Sequence, residues 1–381
     1  MEKVDYNQDL LGDISEAGVE LEIQQLASER IFNPTDFRVT PTNLSMDTLL
    51  SRIKENEIDL YPDFQRKAGI WTNVAQSQLI ESLLIRIPIP AFYMDGTDEN
   101  QWLVVDGLQR LTALDRFVNR AELTLTGLEF LSELEGCTYE ALPRAYQRRI
   151  KETQAIIYVV ETTDPDIKFN IFKRINTGGL PLSAQEIRHA LNQGSVTKLL
   201  NKLSISEAFQ KAIDSSIKDS RMADRECIIR FLAFYIFGYE NYDQYDLNGF
   251  LSKAMSKINK MSQYDIDALE KIFLRTMENS YRIFKNMAFR KIIEGRNNRN
   301  PINKALFEVW AYHLSHLNQG EIECLAKNSE ILMHEQALLM TRVTPDFNGS
   351  ISTATGALSR VRIRFECISE IIQKVLKQYA C

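Results

Sequence analysis

An α+β fold is predicted, a small mixed sheet with helices followed by an all-helical region, and two patterns of apolar spacing carry that reading. Between about residues 35 and 195, short β-branched or alternating stretches interleave with stripes of helical period. Beyond about 196 only the helical stripes persist. Three segments are therefore expected: an acidic arm at 1–34, a sheet-containing domain at 35–195 and a helical domain at 196–381.

The arm sets Glu2, Asp5, Asp9, Asp13, Glu16, Glu20, Glu22 and Glu29 against only Lys3 and Arg30. It reads as a solvated tail. The alternative is a self-masking segment that competes with nucleic acid for a basic groove. Val19 to Leu26 has the spacing of a short amphipathic helix.

In the second segment, Phe37 to Val39 reads as a strand, and Ser45 as the cap of a helix with Met46, Leu49, Leu50 and Ile53 on one face. Ile58 to Tyr61 is extended and runs into Pro62. Asn73 is placed to cap a helix striped by Leu79, Ile80, Leu83 and Leu84. Pro88 and Pro90 end that helix and force an extended entry into a strand at Ala91 to Met94. Gln101 to Val105 is a second strand, followed by a helix from about Leu108 to Asn119. Ala155 to Glu161 is a buried strand by its β-branched content. Helices follow at about 166–175 and 183–192. The third segment has amphipathic stretches at 222–238, 264–286, 302–317, 322–340 and 356–378.

Composition narrows the class. The 381 residues are 44% hydrophobic and 25% charged, enough for a core without disulfides or a structural metal. A net charge of -6 argues against a protein whose whole surface coats DNA, and leaves room for a local basic groove. Five scattered cysteines without a CxxC pair fit reduced thiols. The first residues lack a signal-peptide layout, and no apolar run approaches the roughly 20 residues of a membrane helix. A soluble, cytoplasmic protein is expected.

Three segments carry candidate chemistry. In Val104-Val105-Asp106-Gly107-Leu108-Gln109-Arg110, an apolar strand stops at Asp-Gly and a helix begins. Gly107 permits a tight turn and close ligand approach. The amides opening the helix make an anion site, which Arg110 can reach from the first turn. Asp106 can cap the helix, orient Arg110 or hold a divalent cation beside phosphate oxygens. The plain alternative is an unliganded strand–turn–helix junction, since neither the P-loop nor the GxGxxG pattern is present.

The second segment is Phe64-Gln65-Arg66, with Trp71 beyond it. It can stack on and hydrogen-bond a base, or its aromatics can be core anchors with Arg66 paired to Glu81. The third runs from Lys173-Arg174-Ile175 through Asn176-Thr177-Gly178-Gly179 to Ser183, with Glu186 at the capping-box position. It is helix punctuation, or a phosphate clamp offering Lys173, Asn176 and Thr177.

Taken together and in order, these segments resemble the GmrSD restriction-endonuclease N-terminal domain family, related in fold to the ParB/sulfiredoxin superfamily. That family shows an FQR…W segment, a P-I-P-x-x-Y turn, a D-G-Q-Q-R motif and an INT-x-G-x-x-L-S-x-x-E loop. Here these stand as Phe64 to Arg66 with Trp71, Pro88 to Tyr93, Asp106 to Arg110, and Ile175 to Ser183 with Glu186. The likeness is strong over about 40–192. It continues weakly through Arg225-Glu226…Arg230-Phe231-Leu232 and Asn303 to Glu308.

The resemblance implies a nucleoside triphosphatase or nucleotide sensor that controls cleavage of foreign or modified DNA. Asp106, Gln109 and Arg110 then sit at the triphosphate, with Mg2+ as an accompanying cation and Gly107, Gln65, Arg66, Lys173, Asn176 and Thr177 around the nucleotide. Phe64 lines the same cleft or faces DNA. Leu108 departs from the motif's first Gln, a change that weakens or removes hydrolysis if that Gln contacts nucleotide or water. The HNH nuclease domain of the family's restriction enzymes is not found in the sequence. His313 and His316 lack a third ligand and read as helix residues, so no metal site is expected. A separate nuclease subunit is the implied partner, and a homo-oligomer is compatible.

Two basic stretches offer DNA contact or are solvated helix faces. One holds Arg282, Lys285, Arg290, Lys291, Arg296 and Arg299; the other holds Arg360, Arg362 and Arg364, of which the last two cannot share a helical face. The competing function is a non-enzymatic DNA-binding or interaction module with a degenerate nucleotide site.

Overall fold

The computed structural model describes residues 15, 17–20, 37–60, 71–162, 164–175, 182–218, 221–243, 247–295 and 299–379. The chain divides into two compact units, Ile31–Leu191 and a second made of Met1–Arg30 with Asn192–Cys381.

The first unit is α+β. It comprises β1 (Arg38–Ser45), α1 (Met46–Lys54), β2 (Ile58–Asp59), α2 (Asn73–Leu84), β3 (Phe92–Asp95), β4 (Trp102–Asp106), α3 (Leu108–Val118), α4 (Arg144–Glu152), β5 (Gln154–Glu161), α5 (Pro165–Ile175) and α6 (Ala184–Leu191). The five strands lie in the order β1-β5-β3-β4-β2. β1 with β5 and β3 with β4 are antiparallel, whereas β3 with β5 and β2 with β4 are parallel. The sheet is mixed, as predicted.

Alternation along the strands decides its faces. Phe92, Met94, Val104, Ala155, Ile157 and Val159 are buried on one face. On the other, Val160 packs with Phe169, Phe172 and Ile187, and Val105 joins them. Helix starts follow the expected caps with one shift. Ser45 Oγ accepts from the Thr48 amide at 3.2 Å, as its spacing predicts. For α2 the cap is Thr72, one residue before Asn73. Glu81 is buried in α2, and its carboxylate accepts from the amides of Glu129, Phe130 and Leu131 at 3.0, 2.7 and 2.8 Å. Those three bonds fix a loop without regular structure. Arg66, the partner proposed for Glu81, lies outside the described residues.

The second unit is helical: α7 (Ser195–Ser204), α8 (Glu207–Ala212), α9 (Ala223–Phe237), α10 (Leu247–Asn259), α11 (Gln263–Phe284), α12 (Lys304–His316), α13 (Gln319–Lys327), α14 (Ser329–Met340), α15 (Phe347–Ser352) and α16 (Leu358–Gln378). Its core gathers Phe209, Phe231, Phe234, Phe273, Phe307, Trp310 and Phe365. The single stretch predicted over 322–340 is two helices, because Asn328 closes α13 and opens α14.

The stretches around Arg225 to Leu232 and Asn303 to Glu308 are two sides of one ion network. Arg230 lies 3.1 Å from Glu226 and 3.4 Å from Glu308, and Lys304 lies 2.8 Å from Glu226. Arg364 donates through Nε to Glu308 at 2.8 Å and to the carbonyls of Ser350 and Thr355 at 3.2 and 2.7 Å. The charged residues of these two segments thus serve the core.

The described part of the N-terminal segment is not a solvated arm. Val19 forms a parallel bridge with Ile302, and the Glu20 amide donates to the Ile302 carbonyl at 2.8 Å. The Glu20 carboxylate is buried 2.5 Å from Lys291 Nζ and 3.1 Å from Asn303 Nδ2. Val19 and Glu20 are extended here, and residues 21–26 of the helix predicted over Val19 to Leu26 lie outside the described residues. Among the described residues no helix is long and apolar enough to cross a membrane.

Candidate functional site at the end of β4

β4 ends at Asp106, and Gly107 turns the chain into α3 with φ 95° and ψ 8°. That left-handed conformation favours glycine. A Cβ at Gly107 would also lie 2.4 Å from Phe92 Cδ1, so the close approach is to a core ring. No side chain caps α3, whose first turn closes when the Leu111 amide donates to the Gly107 carbonyl at 2.9 Å.

Asp106 orients Arg110 instead of capping the helix. Arg110 Nη2 donates to Asp106 Oδ2 at 2.8 Å and to the Ala91 carbonyl at 3.2 Å, and Nη1 donates to the Pro90 carbonyl. The guanidinium also sits 4.7 Å from the Phe92 ring centroid. Burial lowers the Arg110 pKa from its ordinary value, against the opposing pull of Asp106. The Asp106 side chain keeps 32% of its surface exposed and that of Arg110 only 10%. Arg110 is therefore a positioning cation here, which corrects the expectation of a guanidinium aimed at phosphate. Its fork is spent on two carbonyls of the P-I-P turn and on one carboxylate.

Gln109 is likewise engaged within the protein. Its Oε1 accepts from the Trp71 amide at 3.3 Å, while Gln76 Nε2 donates to the Trp71 carbonyl at 2.7 Å. Trp71 is thus held by α2 and α3 at the end of the segment containing Phe64, Gln65 and Arg66, which lies outside the described residues. Leu108, standing in place of the motif's polar residue, is buried.

At the third motif, the Ser183–Glu186 capping box forms as predicted, with the Ser183 amide to Glu186 Oε2 at 2.5 Å and the Glu186 amide to Ser183 Oγ at 3.1 Å. Lys173 is exposed in the last turn of α5; Asn176 and Thr177 lie outside the described residues. Sequence reasoning missed the polar inner face of α6. Gln185, Glu186, Arg188 and His189 are all buried, and Arg188 Nε donates to Gln185 Oε1 at 2.9 Å. Their spacing resembles an exposed face, so only the tertiary structure reveals them.

Two cations of the predicted basic track in the helical unit, Arg290 and Lys291, do not reach the surface. Arg290 is buried, donating to the carbonyls of Asn286 and Ile213 at 2.9 and 3.0 Å and to Ser216 Oγ at 2.8 Å. Burial lowers its pKa to about 10. Lys291 is sealed against Glu20 and Ser352. Neither cation can follow a phosphate backbone, which corrects both assignments. Arg299 is exposed and paired with Asp214, and Arg296 lies outside the described residues. In the other basic stretch Arg364 is buried and Arg362 exposed, so they occupy opposite faces of α16.

His313 shares no metal-ligand cluster. Its Nε2 lies 2.9 Å from the Phe365 carbonyl, and burial pushes its pKa down to about 4. Among the described residues no group of three metal-ligating side chains is present.

A mixed sheet whose β4 strand ends in a partly exposed acid, braced from inside by a buried guanidinium, defines an α+β domain that presents one carboxylate at a helix start. A family match covers the same stretch of chain. Residues 46–193 match the family model described as GmrSD restriction endonuclease, N-terminal domain, so this part of the chain is similar to that family. The match suggests a role in restriction or defence. Comparison with curated proteins and with solved structures gave no match.

Proposed function

We propose that the domain binds a nucleoside triphosphate at the Asp106 corner, and that the protein is a nucleotide-gated regulator of DNA restriction or anti-phage defence acting on or with DNA. One observation carries this reading: a partly exposed carboxylate, held by a buried cation, stands where the first amides of α3 lack intrahelical acceptors. Those amides receive phosphate oxygens. Asp106 holds the divalent cation that travels with a triphosphate, since Mg2+ takes one or two carboxylates and completes its shell with phosphate and water. Arg110 fixes the carboxylate in place.

Leu108 supplies no polar atom for an attacking water, so slow turnover or sensing without turnover is expected. DNA cleavage is assigned to a separate nuclease subunit. The ParB/sulfiredoxin-like fold implied by the sequence resemblance accords with this reading.

The test is a panel of nucleoside triphosphates with Mg2+, titrated against the native protein, Asp106→Ala and Arg110→Ala. Native binding that weakens at least roughly ten-fold in Asp106→Ala supports the proposal, about the effect of losing one charge-assisted contact. Phosphate release separates hydrolase from sensor. No binding of any triphosphate overturns it. A second reading, a non-enzymatic DNA-binding or interaction module, is favoured by the internal commitment of Arg110 and by Leu108. It predicts DNA or protein binding indifferent to every nucleotide.

A further inference from the structure

The end of α2 breaks a local rule, and a group of cations from α4 gathers beside it. The Ile87 amide donates to the Ser82 carbonyl at 2.8 Å and the Arg86 amide to the Leu83 carbonyl at 3.1 Å. That pair of bonds is a common helix ending, and its closing residue takes the left-handed conformation that glycine adopts without strain. Here the closing residue is Arg86, with φ 67°. A left-handed arginine costs stability, and this one is exposed, so no packing of its side chain offsets the cost. Helix α4 packs against α2. Its Arg149 donates to the Leu84 carbonyl in the last turn of α2 and lies 5.1 Å from the Tyr146 ring centroid. Arg144 and Arg148, one turn apart on α4, are both exposed. Among the described residues, none of these four arginines has a carboxylate within ion-pair distance. Lys151 of the same helix does, tied to Asp47 at 2.9 Å. In a chain of net charge -6, four uncompensated guanidinium groups on two packed helices are a local excess of positive charge.

We infer that this face, α4 with the end of α2, is where duplex DNA lies against the protein. Arg86, Arg144 and Arg148 take its phosphates, while Arg149 holds the two helices together. This rests on the reading that the protein acts on or with DNA, and it is independent of the nucleotide corner. The planar fork of a guanidinium matches phosphate oxygens in pairs. Contacts to the backbone position a duplex and read no base, so the affinity they supply falls with salt and ignores sequence. Arg149 already serves the open carbonyl end of α2, so closing that helix does not require a second arginine at position 86. A strained residue that no local need explains fits a position kept for its charge.

The experiment titrates two short duplexes of unrelated sequence by fluorescence anisotropy over a range of salt. The native protein is compared with Arg86→Gly, Arg144→Gln/Arg148→Gln and Lys253→Gln/Lys257→Gln. The last pair removes the same charge from exposed positions of α10 in the helical unit. Each lost phosphate contact flattens the plot of log affinity against log salt by about 1, so the α4 double variant is expected to lose about 2. Arg86→Gly is expected to lose about 1 on both duplexes while its melting temperature holds or rises, because glycine relieves the strain. A merely structural arginine gives the reverse, a lower melting temperature with DNA binding unchanged, and that result overturns its role. Binding that is unchanged in the α4 variant, or that falls equally in the α10 variant, overturns the surface and leaves a DNA-directed protein standing. Native protein that binds neither duplex at low salt removes the surface and the DNA-directed reading together, whatever the nucleotide panel shows.

Discussion

The two units treat charge in opposite ways. In the helical unit Arg230, Arg364 and Glu308 are sealed together, and Lys291 with Glu20 forms a second buried pair. At the end of β4 the pair is split, with Arg110 inside and the Asp106 carboxylate still reaching solvent. A buried and well-bonded ion set fixes one arrangement of helices and offers nothing to a ligand. A braced but open carboxylate is fixed and available at once. The difference separates residues that shape the molecule from one that can act.

The comparison breaks first at Glu308. Replacing it with Ala leaves two guanidinium groups facing each other in the core, and the expected loss is about 3–5 kcal/mol of unfolding free energy by denaturant titration. A loss below about 1 kcal/mol would mean that the network is dispensable. His313 tests the same unit through pH. Its folded pKa of about 4 lies below the ordinary 6.5, so the unfolded chain binds the extra proton. Stability is then full above about pH 6.5 and falls toward pH 4, by at most about 1.4 kcal/mol per pH unit. His313→Phe should flatten that slope in thermal melts across the window.

In the α+β unit, Gly107→Ala forces a left-handed alanine and a collision with Phe92; a cost of about 2 kcal/mol is expected, seen as a lowered melting temperature. Asp106→Asn is the smallest effect. It keeps the shape and sheds a charge at a partly exposed site, so less than about 1 kcal/mol should be lost in melting experiments while ligand binding suffers. Asp106→Asn as damaging to stability as Glu308→Ala would erase the distinction between the two units.

Local chemistry made much of the fold legible. Ser45 and the Met46–Ile53 stripe predicted α1, and the β-branched run predicted β5 within a residue. The Ser183–Glu186 box was readable because both partners lie within one turn. What could not be read depends on distant partners. Arg110 looked free because its acceptors, the carbonyls of Pro90 and Ala91, lie 20 and 19 residues upstream. Arg290 and Lys291 looked like a surface track because the groups that enclose them come from Ile213, Ser216, Ser352 and Glu20. The α10 helix was legible and was passed over, since Leu247, Phe250, Leu251, Ala254, Met255 and Ile258 recur at helical period.

The contact of Glu20 with Asn303 spans 283 positions of chain. At about 5–20 residues per second on the ribosome, the segment around Val19 emerges on the order of 15–60 s before the residues that receive it. The sheet-bearing unit, made in the interval, has its complete chain before the helical one does. The order of synthesis therefore favours early closure of the sheet-bearing unit, with the segment around Val19 among the last to find its place.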